Sequence, residues 1–186
     1  MKQLRTMCAA LALIASTLAG AQQPLPLTTV EKVDLNRYAG KWYEIALFPN
    51  EFQAQCVADT TATYALKPNG RIEVINRCRQ TNGKVDDAIG EAKLDTDDGS
   101  NAKLRVRFAP AWLSWLPNVW GRYWVIELDP DYQHAVVSEP TREFLWILAR
   151  QPTLSDATLA GSKSRLTARG YDVAKLKFKP QNPNTP

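Results

Sequence analysis

The chain has 186 residues, 45% hydrophobic and 23% charged, with a formal net charge of +4 at pH 7. That length suits one domain and the composition is too apolar for a disordered chain. Outside a short N-terminal run nothing approaches the roughly 18–20 apolar residues of a membrane-spanning helix, and the basic residues do not cluster as a nucleic-acid partner requires, so none is expected.

The first segment reads as an address. Lys2 and Arg5 precede an apolar run from Met7 to Leu18, and Ala19-Gly20-Ala21 supplies a small-x-small cleavage pattern. Residues 1–21 are expected to be a cleaved signal peptide, which makes the protein an exported, periplasmic one. A lipid anchor needs a Cys directly after the small residues, and Gln22 stands there. Association with the outer membrane would then need another means. Cys8 leaves with the signal, so Cys56 and Cys78 remain, and in an exported chain they suggest one disulfide. Unbonded thiols are the alternative, since hairpin register alone does not place the two opposite each other. Two Cys and one distant His do not complete a metal site.

From Gly40 onward, short alternating segments are split by turn signals. Eight strands are expected, at about 41–48, 57–66, 71–79, 85–94, 103–109, 121–128, 132–138 and 143–149. Lys67-Pro68-Asn69-Gly70, Asn82-Gly83, Asp97-Asp98-Gly99 and Asp129-Pro130-Asp131 supply turns. With no helix between strands, a parallel sheet is disfavoured, and eight consecutive antiparallel strands lose their edges by closing into an up-and-down barrel. A helix is expected after Ser155-Asp156, stopping at Gly170, with Leu159, Leu166 and Ala157 toward the barrel. Tyr171 to Phe178 offers a last short strand. The domain spans 22–180, and Gln181 to Pro186 reads as a disordered tail.

Three motifs carry a family resemblance. Gly40-Lys41-Trp42-Tyr43 resembles the Gly-x-Trp-Tyr opening of the lipocalins. Asp129-Pro130-Asp131-Tyr132 resembles their Thr-Asp-Tyr turn, with Pro130 in place of Thr, and Arg150 stands where they place an Arg over the first Trp. Tyr43-Glu44-Ile45-Ala46, Thr61-Ala62-Thr63-Tyr64, Val74-Ile75-Asn76, Phe144-Leu145-Trp146-Ile147-Leu148 and Pro152-Thr153-Leu154-Ser155-Asp156 resemble bacterial outer-membrane lipocalins and apolipoprotein D. The resemblance implies an all-β, eight-stranded calyx with one helix packed outside, and Gly40, Trp42, Asp131, Tyr132 and Arg150 as its structural set. It also implies a fatty acid or lysophospholipid as guest, carried or stored for the cell envelope, with no cofactor.

Alternation assigns the cavity wall, because strand residues two apart share a face. Charges mark the outer face of two strands, leaving Ile72, Val74 and Asn76 inward on one and Leu104, Val106 and Phe108 on another. Parity with Trp42 carries Glu44, Ala46 and Phe48 inward, and pairing favours Thr60, Ala62 and Tyr64. Phe144, Trp146 and Leu148 share parity with Arg150. Ala88, Gly90, Ala92, Tyr123, Val125, His134 and Val136 complete the expected lining. Its many small residues argue for a hollow rather than a filled barrel. At about 0.8 kcal/mol per buried methylene, an acyl chain of about twelve methylenes reaches roughly micromolar affinity after ordering costs.

The segment 110–117 places Trp112 and Trp115 in a Pro-bounded loop at the open end. It either lips the cavity and touches a membrane interface, or folds in as a plug. Glu44 and Glu127 share inward parity and either hold a head group or are structural. With a single His, His134, and no nucleophile elbow or phosphate loop, catalytic residues are not expected. An acid–base enzyme built on Glu44, and a homodimer through Trp124, Ile126 and Leu128, are the competing readings.

Overall fold

The computed structural model describes residues 25–95 and 100–182. The signal segment, the Asp97-Asp98-Gly99 turn and residues 183–186 lie outside the described residues. A one-turn helix, α1 (Leu35–Tyr38), leads into β1 (Gly40–Leu47), β2 (Cys56–Leu66), β3 (Ile72–Gln80) and β4 (Val85–Leu94). Then come β5 (Lys103–Arg107), β6 (Gly121–Leu128), β7 (His134–Ser138) and β8 (Leu145–Ala149). All neighbouring pairs are antiparallel, and β1 closes the ring by pairing with both β2 and β8. The eight expected strands and the closed up-and-down barrel are thus present. α2 (Asp156–Ala168) starts at Ser155, whose hydroxyl accepts from the Thr158 amide.

The barrel walls separate two apolar clusters. Trp42, Ala62, Tyr64, Val74, Leu104, Val125, Val137 and Leu148 belong to the inner one. Ile45, Ala46, Phe48, Ile126, Val136, Leu145, Ile147 and Ala149 pack on the outside with Leu166 of α2 and Tyr171. Leu159 joins that layer, whereas Ala157 faces solvent. The helix is also tied by charge. Glu127 accepts from Ser162 at 2.8 Å and from Arg165 Nε at 2.9 Å, with Arg165 Nη2 donating as well. Burial raises the Glu127 carboxyl, but these donors together outweigh it and hold the group below its ordinary value.

Two β-bulges shift the parity that alternation alone predicts. In β1 the register slips between Glu44 and Ala46, so Ile45 and Ala46 both face outward. Ala46 and Phe48 are therefore not in the cavity wall but in the outer layer, with the Phe48 ring 6.2 Å from that of Tyr171. In β6 the slip falls between Val125 and Glu127. Glu127 turns outward to α2, and Leu128 turns inward. β7 follows with Ala135 and Val137 inside, which puts His134 and Val136 outside rather than in the wall. His134 Nε2 lies 3.3 Å from Glu127 Oε1, on the helix side. Of the face expected to serve a homodimer, α2 and its layer cover Ile126 and partly cover Trp124.

The C-terminal segment completes the wall. Above the level of Tyr43 and Thr61, β1 and β2 separate, and β9 (Lys177–Phe178) takes the place beside Ala46 and Leu47. Lys179 N donates to Ile45 O, and Asp59 N donates to Pro180 O. Gln181 and Asn182, expected in the disordered tail, are held: the Gln181 amide donates to the Glu44 and Thr60 carbonyls at 2.7 and 3.0 Å. Asn182 N donates to Asp59 Oδ1.

Candidate functional site

The closed end is built first. Trp42 is fully buried, donates its indole N–H to Tyr38 O at 2.8 Å, and lies with its ring centroid 3.9 Å from the Arg150 guanidinium carbon. Arg150 donates to the carbonyls of Arg37, Tyr38, Ala39, Lys41 and Tyr132, so one planar group closes several ends of chain at once. Gly40 has φ of +93° and a Cβ there would meet Arg150 Nη1 at 3.4 Å, so glycine supplies both the turn and the clearance. Tyr132, at φ of +59°, accepts from Asp34 N and lies under Arg37. Asp131 differs from its expected role: its side chain is exposed, and the carboxylate that caps this turn is that of Asp129, which accepts from Asp131 N and Gln133 N.

Above this base lies one cavity of about 870 Å3, inside the range of sites that hold a small apolar ligand. β2 contributes Ala62 and Tyr64, and β3 contributes Ile72, Val74 and Asn76. Ala88, Leu104, Val106, Phe108, Tyr123, Val125, Phe144 and Trp146 line it as expected. Gly90 does not form the wall itself. A Cβ there would sit 2.7 Å from the Phe108 ring, so the glycine makes room for that ring to lie flat on β4. Cys56 and Cys78 are bonded, with Cα atoms 5.5 Å apart, and clamp the mouth ends of β2 and β3. Two register slips at the start of β2 bring them together where a straight hairpin would not.

Trp112 is not a wall residue. It and Trp115 stand out from the mouth at 73% and 76% exposure, so the loop is not a plug. Phe52, at 72%, projects from the mouth loop between β1 and β2.

The wall is mostly apolar, and two hydrogen-bonded polar clusters stand in it beside single polar residues such as Asn76 and Thr61 and charged ones such as Arg77 and Arg122. Deep in the cavity, the Tyr123 hydroxyl shares hydrogen bonds with Tyr38 at 2.8 Å and Tyr64 at 2.9 Å. Burial pushes all three phenols up, Tyr64 to about 12, so the trio is neutral at physiological pH. Three hydroxyls sharing two bonds keep one hydrogen to donate. Nearer the mouth, Glu44 Oε2 accepts from Gln53 Nε2 at 2.7 Å, and Gln53 Oε1 accepts from Trp146 Nε1 at 2.8 Å. Burial pushes Glu44 up to about 7, against the pull of Gln53 and of the Lys179 ammonium. Sequence reading missed Gln53 and the floor residues Val33, Leu35 and Tyr38, which precede the strands and carry no alternation signal.

This arrangement has the room to enclose an apolar guest and the polar groups to offer it hydrogen bonds. His134 is engaged outside the barrel, and the carboxylate inside accepts from the Gln53 amide and feels the Lys179 ammonium. Among the described residues no group of three or more His, Cys, Asp or Glu is placed to hold a metal ion.

Residues 33–181 match the family described as a lipocalin-like domain. The chain is 40% identical over 161 residues to temperature-induced lipocalin-1 of Arabidopsis thaliana, covering 86% of each protein. It is 37% identical over 154 residues to the outer membrane lipoprotein Blc of Escherichia coli K12, covering 82% of each. Over 153 residues it is 34% identical to apolipoprotein D of Mus musculus, covering 78% of this chain and 76% of that one. These relatives come from a plant, a bacterium and an animal, so the likeness is wider than the bacterial and apolipoprotein D group that the motifs suggest. With the calyx, its closed base and the family match in agreement, the chain belongs to the lipocalins.

Proposed function

We propose that the protein carries or stores an acyl lipid, a fatty acid or a lysophospholipid, one molecule in the barrel cavity, in service of the cell envelope. The observation that supports this most is the cavity itself: about 870 Å3 behind a mouth, walled mainly by aliphatic and aromatic side chains. Such a wall holds a long hydrocarbon tail by the removal of its methylenes from water. The name of the mouse relative, an apolipoprotein, favours the same guest class.

Residues 1–21 act as a cleaved export signal in this reading, and the protein works in the periplasm beside a membrane. Contact with that membrane falls to two mouth loops, where Trp112 and Trp115 of one and Phe52 of the other present exposed rings of the kind that partition to a lipid interface. The experiment is extraction of the protein purified from a bacterial periplasm, followed by mass spectrometry of the extract. An acyl lipid at close to one per chain is expected; a protein that carries no lipid and takes none up from vesicles contradicts the reading.

A further inference from the structure

Two buried oxygen atoms of the cavity wall have no hydrogen-bonding partner among the described residues: Glu44 Oε1 and Thr60 Oγ1. Both residues contribute to the wall, and they are 4% and 3% exposed. They stand on either strand of the β1–β2 seam, where the Gln181 amide bridges their backbone carbonyls. The Glu44 carboxylate is held in place by its other oxygen, through Gln53 and, behind it, Trp146. One oxygen is thus satisfied by the protein and one is left for a donor. Leaving a buried acceptor unmade costs about 1–3 kcal/mol, more for a charged one, so the fold carries an expense here that a guest can remove. The charged and titratable groups around Glu44 do not meet this need. Lys179 donates its ammonium to Cys56 O, and Tyr64 hydrogen-bonds Tyr123.

We propose that Glu44 Oε1 and Thr60 Oγ1 form a subsite for a hydroxyl group of the guest, so that the cavity takes hydroxyl-bearing acyl lipids in preference to free fatty acids of equal chain length. This rests on the acyl-lipid reading above and narrows it. A hydroxyl donates its hydrogen to Oε1 and accepts the hydrogen of Thr60, using both groups as their chemistry allows. The bond to the carboxylate is charge-assisted and correspondingly strong. A fatty acid offers a carboxylate, which only accepts. Set against Glu44 it places two like charges in an apolar wall, and one of them must take a proton or move away. The subsite lies on the mouth side of Trp42, and Gln53 reaches it from the mouth loop. A head group there leaves the tail the deeper part of the cavity.

The test is calorimetric titration of delipidated protein at pH 8, above the value to which burial raises Glu44, with 1-monolauroylglycerol and with laurate, each below its aggregation concentration. The wild type binds the monoacylglycerol about ten-fold or more tighter than laurate, the equivalent of about 1.4 kcal/mol. Glu44→Gln tightens laurate and brings the two within about three-fold, and Thr60→Val weakens the monoacylglycerol about five-fold. Thermal melts establish that each variant is folded, and either one alone suffices. Equal affinities or a preference for laurate in the wild type, unmoved in the variants, overturns the subsite and leaves the lipid carrier standing. If the wild type binds neither lipid, both readings fall.

Discussion

Arg150 lies 3.9 Å above the Trp42 ring and, through one guanidinium, donates to five carbonyls of the chain that forms the barrel base. The pair joins the first strand to the end of the last, 108 positions on, and makes the base a lid rather than a frayed rim. Lysine keeps the charge but not the fork or the stacking plane. Arg150→Lys is expected to cost about 2–4 kcal/mol in urea unfolding, because several carbonyls, most of them part-buried, lose their donor together. A loss under about 0.5 kcal/mol would show that the base holds without it.

The pH dependence of stability reports on Glu44. Its carboxyl titrates near 7 in the fold, against an ordinary 4.5. Below 4.5 both states are protonated and the group contributes nothing. Between 4.5 and 7 the unfolded chain gives up its proton while the native one keeps it, so stability falls as pH rises. The fall amounts to about 3 kcal/mol and is complete above pH 7. Glu44→Gln is expected to be more stable than the wild type by up to about that amount at pH 8 in delipidated protein, and no more stable at pH 4. A stability difference that does not change with pH would contradict the burial of the Glu44 carboxyl.

Gln181 stitches the seam between β1 and β2 where their own ladder stops. Gln181→Ala removes the donor from two carbonyls, one on each strand of the seam. A loss of about 2 kcal/mol is expected. Hydrogen exchange should accelerate at the amides of Asp59 and Lys179, which close the same seam. Exchange at these two amides unchanged from wild type would mean that β9 holds the seam alone.

How much of this was legible in the sequence follows from where its pattern is regular. Arg71, Glu73 and Arg77 on the opposite face marked Ile72, Val74 and Asn76 as the inner face of β3, as Lys103, Arg105 and Arg107 marked Leu104, Val106 and Phe108 for β5. Ala46, Phe48, His134 and Val136 were placed on the wrong side because two bulges, at Ile45 and Ile126, each insert one residue and invert everything beyond. Both bulges sit on strands that are largely apolar on both faces, since α2 covers the outside, and the one charge beyond a bulge, Glu127, follows parity inward when the bulge is unseen. Gln53 and Gln181 were invisible for another reason. Each is a polar residue in a loop or tail, and its role exists only once distant strands meet.

The mouth loop tests membrane contact without disturbing the barrel. Trp112 and Trp115 stand in solvent, so Trp112→Ser with Trp115→Ser should leave unfolding within about 0.5 kcal/mol per substitution. Association with phosphatidylethanolamine–phosphatidylglycerol vesicles, followed by sedimentation, should weaken about ten-fold or more. Unchanged sedimentation would remove the loop from any membrane role.

The most direct measurement of the hollow barrel is native mass spectrometry of the wild type and of Val74→Trp, each mixed with 1-monolauroylglycerol. Val74 is 2% exposed and projects into the cavity from β3. A tryptophan there fills space the guest needs, at a packing cost of about 1–3 kcal/mol that the fold tolerates. The wild type should carry one lipid per chain and the folded variant should carry almost none. Equal occupancy in the two proteins would place the lipid somewhere other than the cavity.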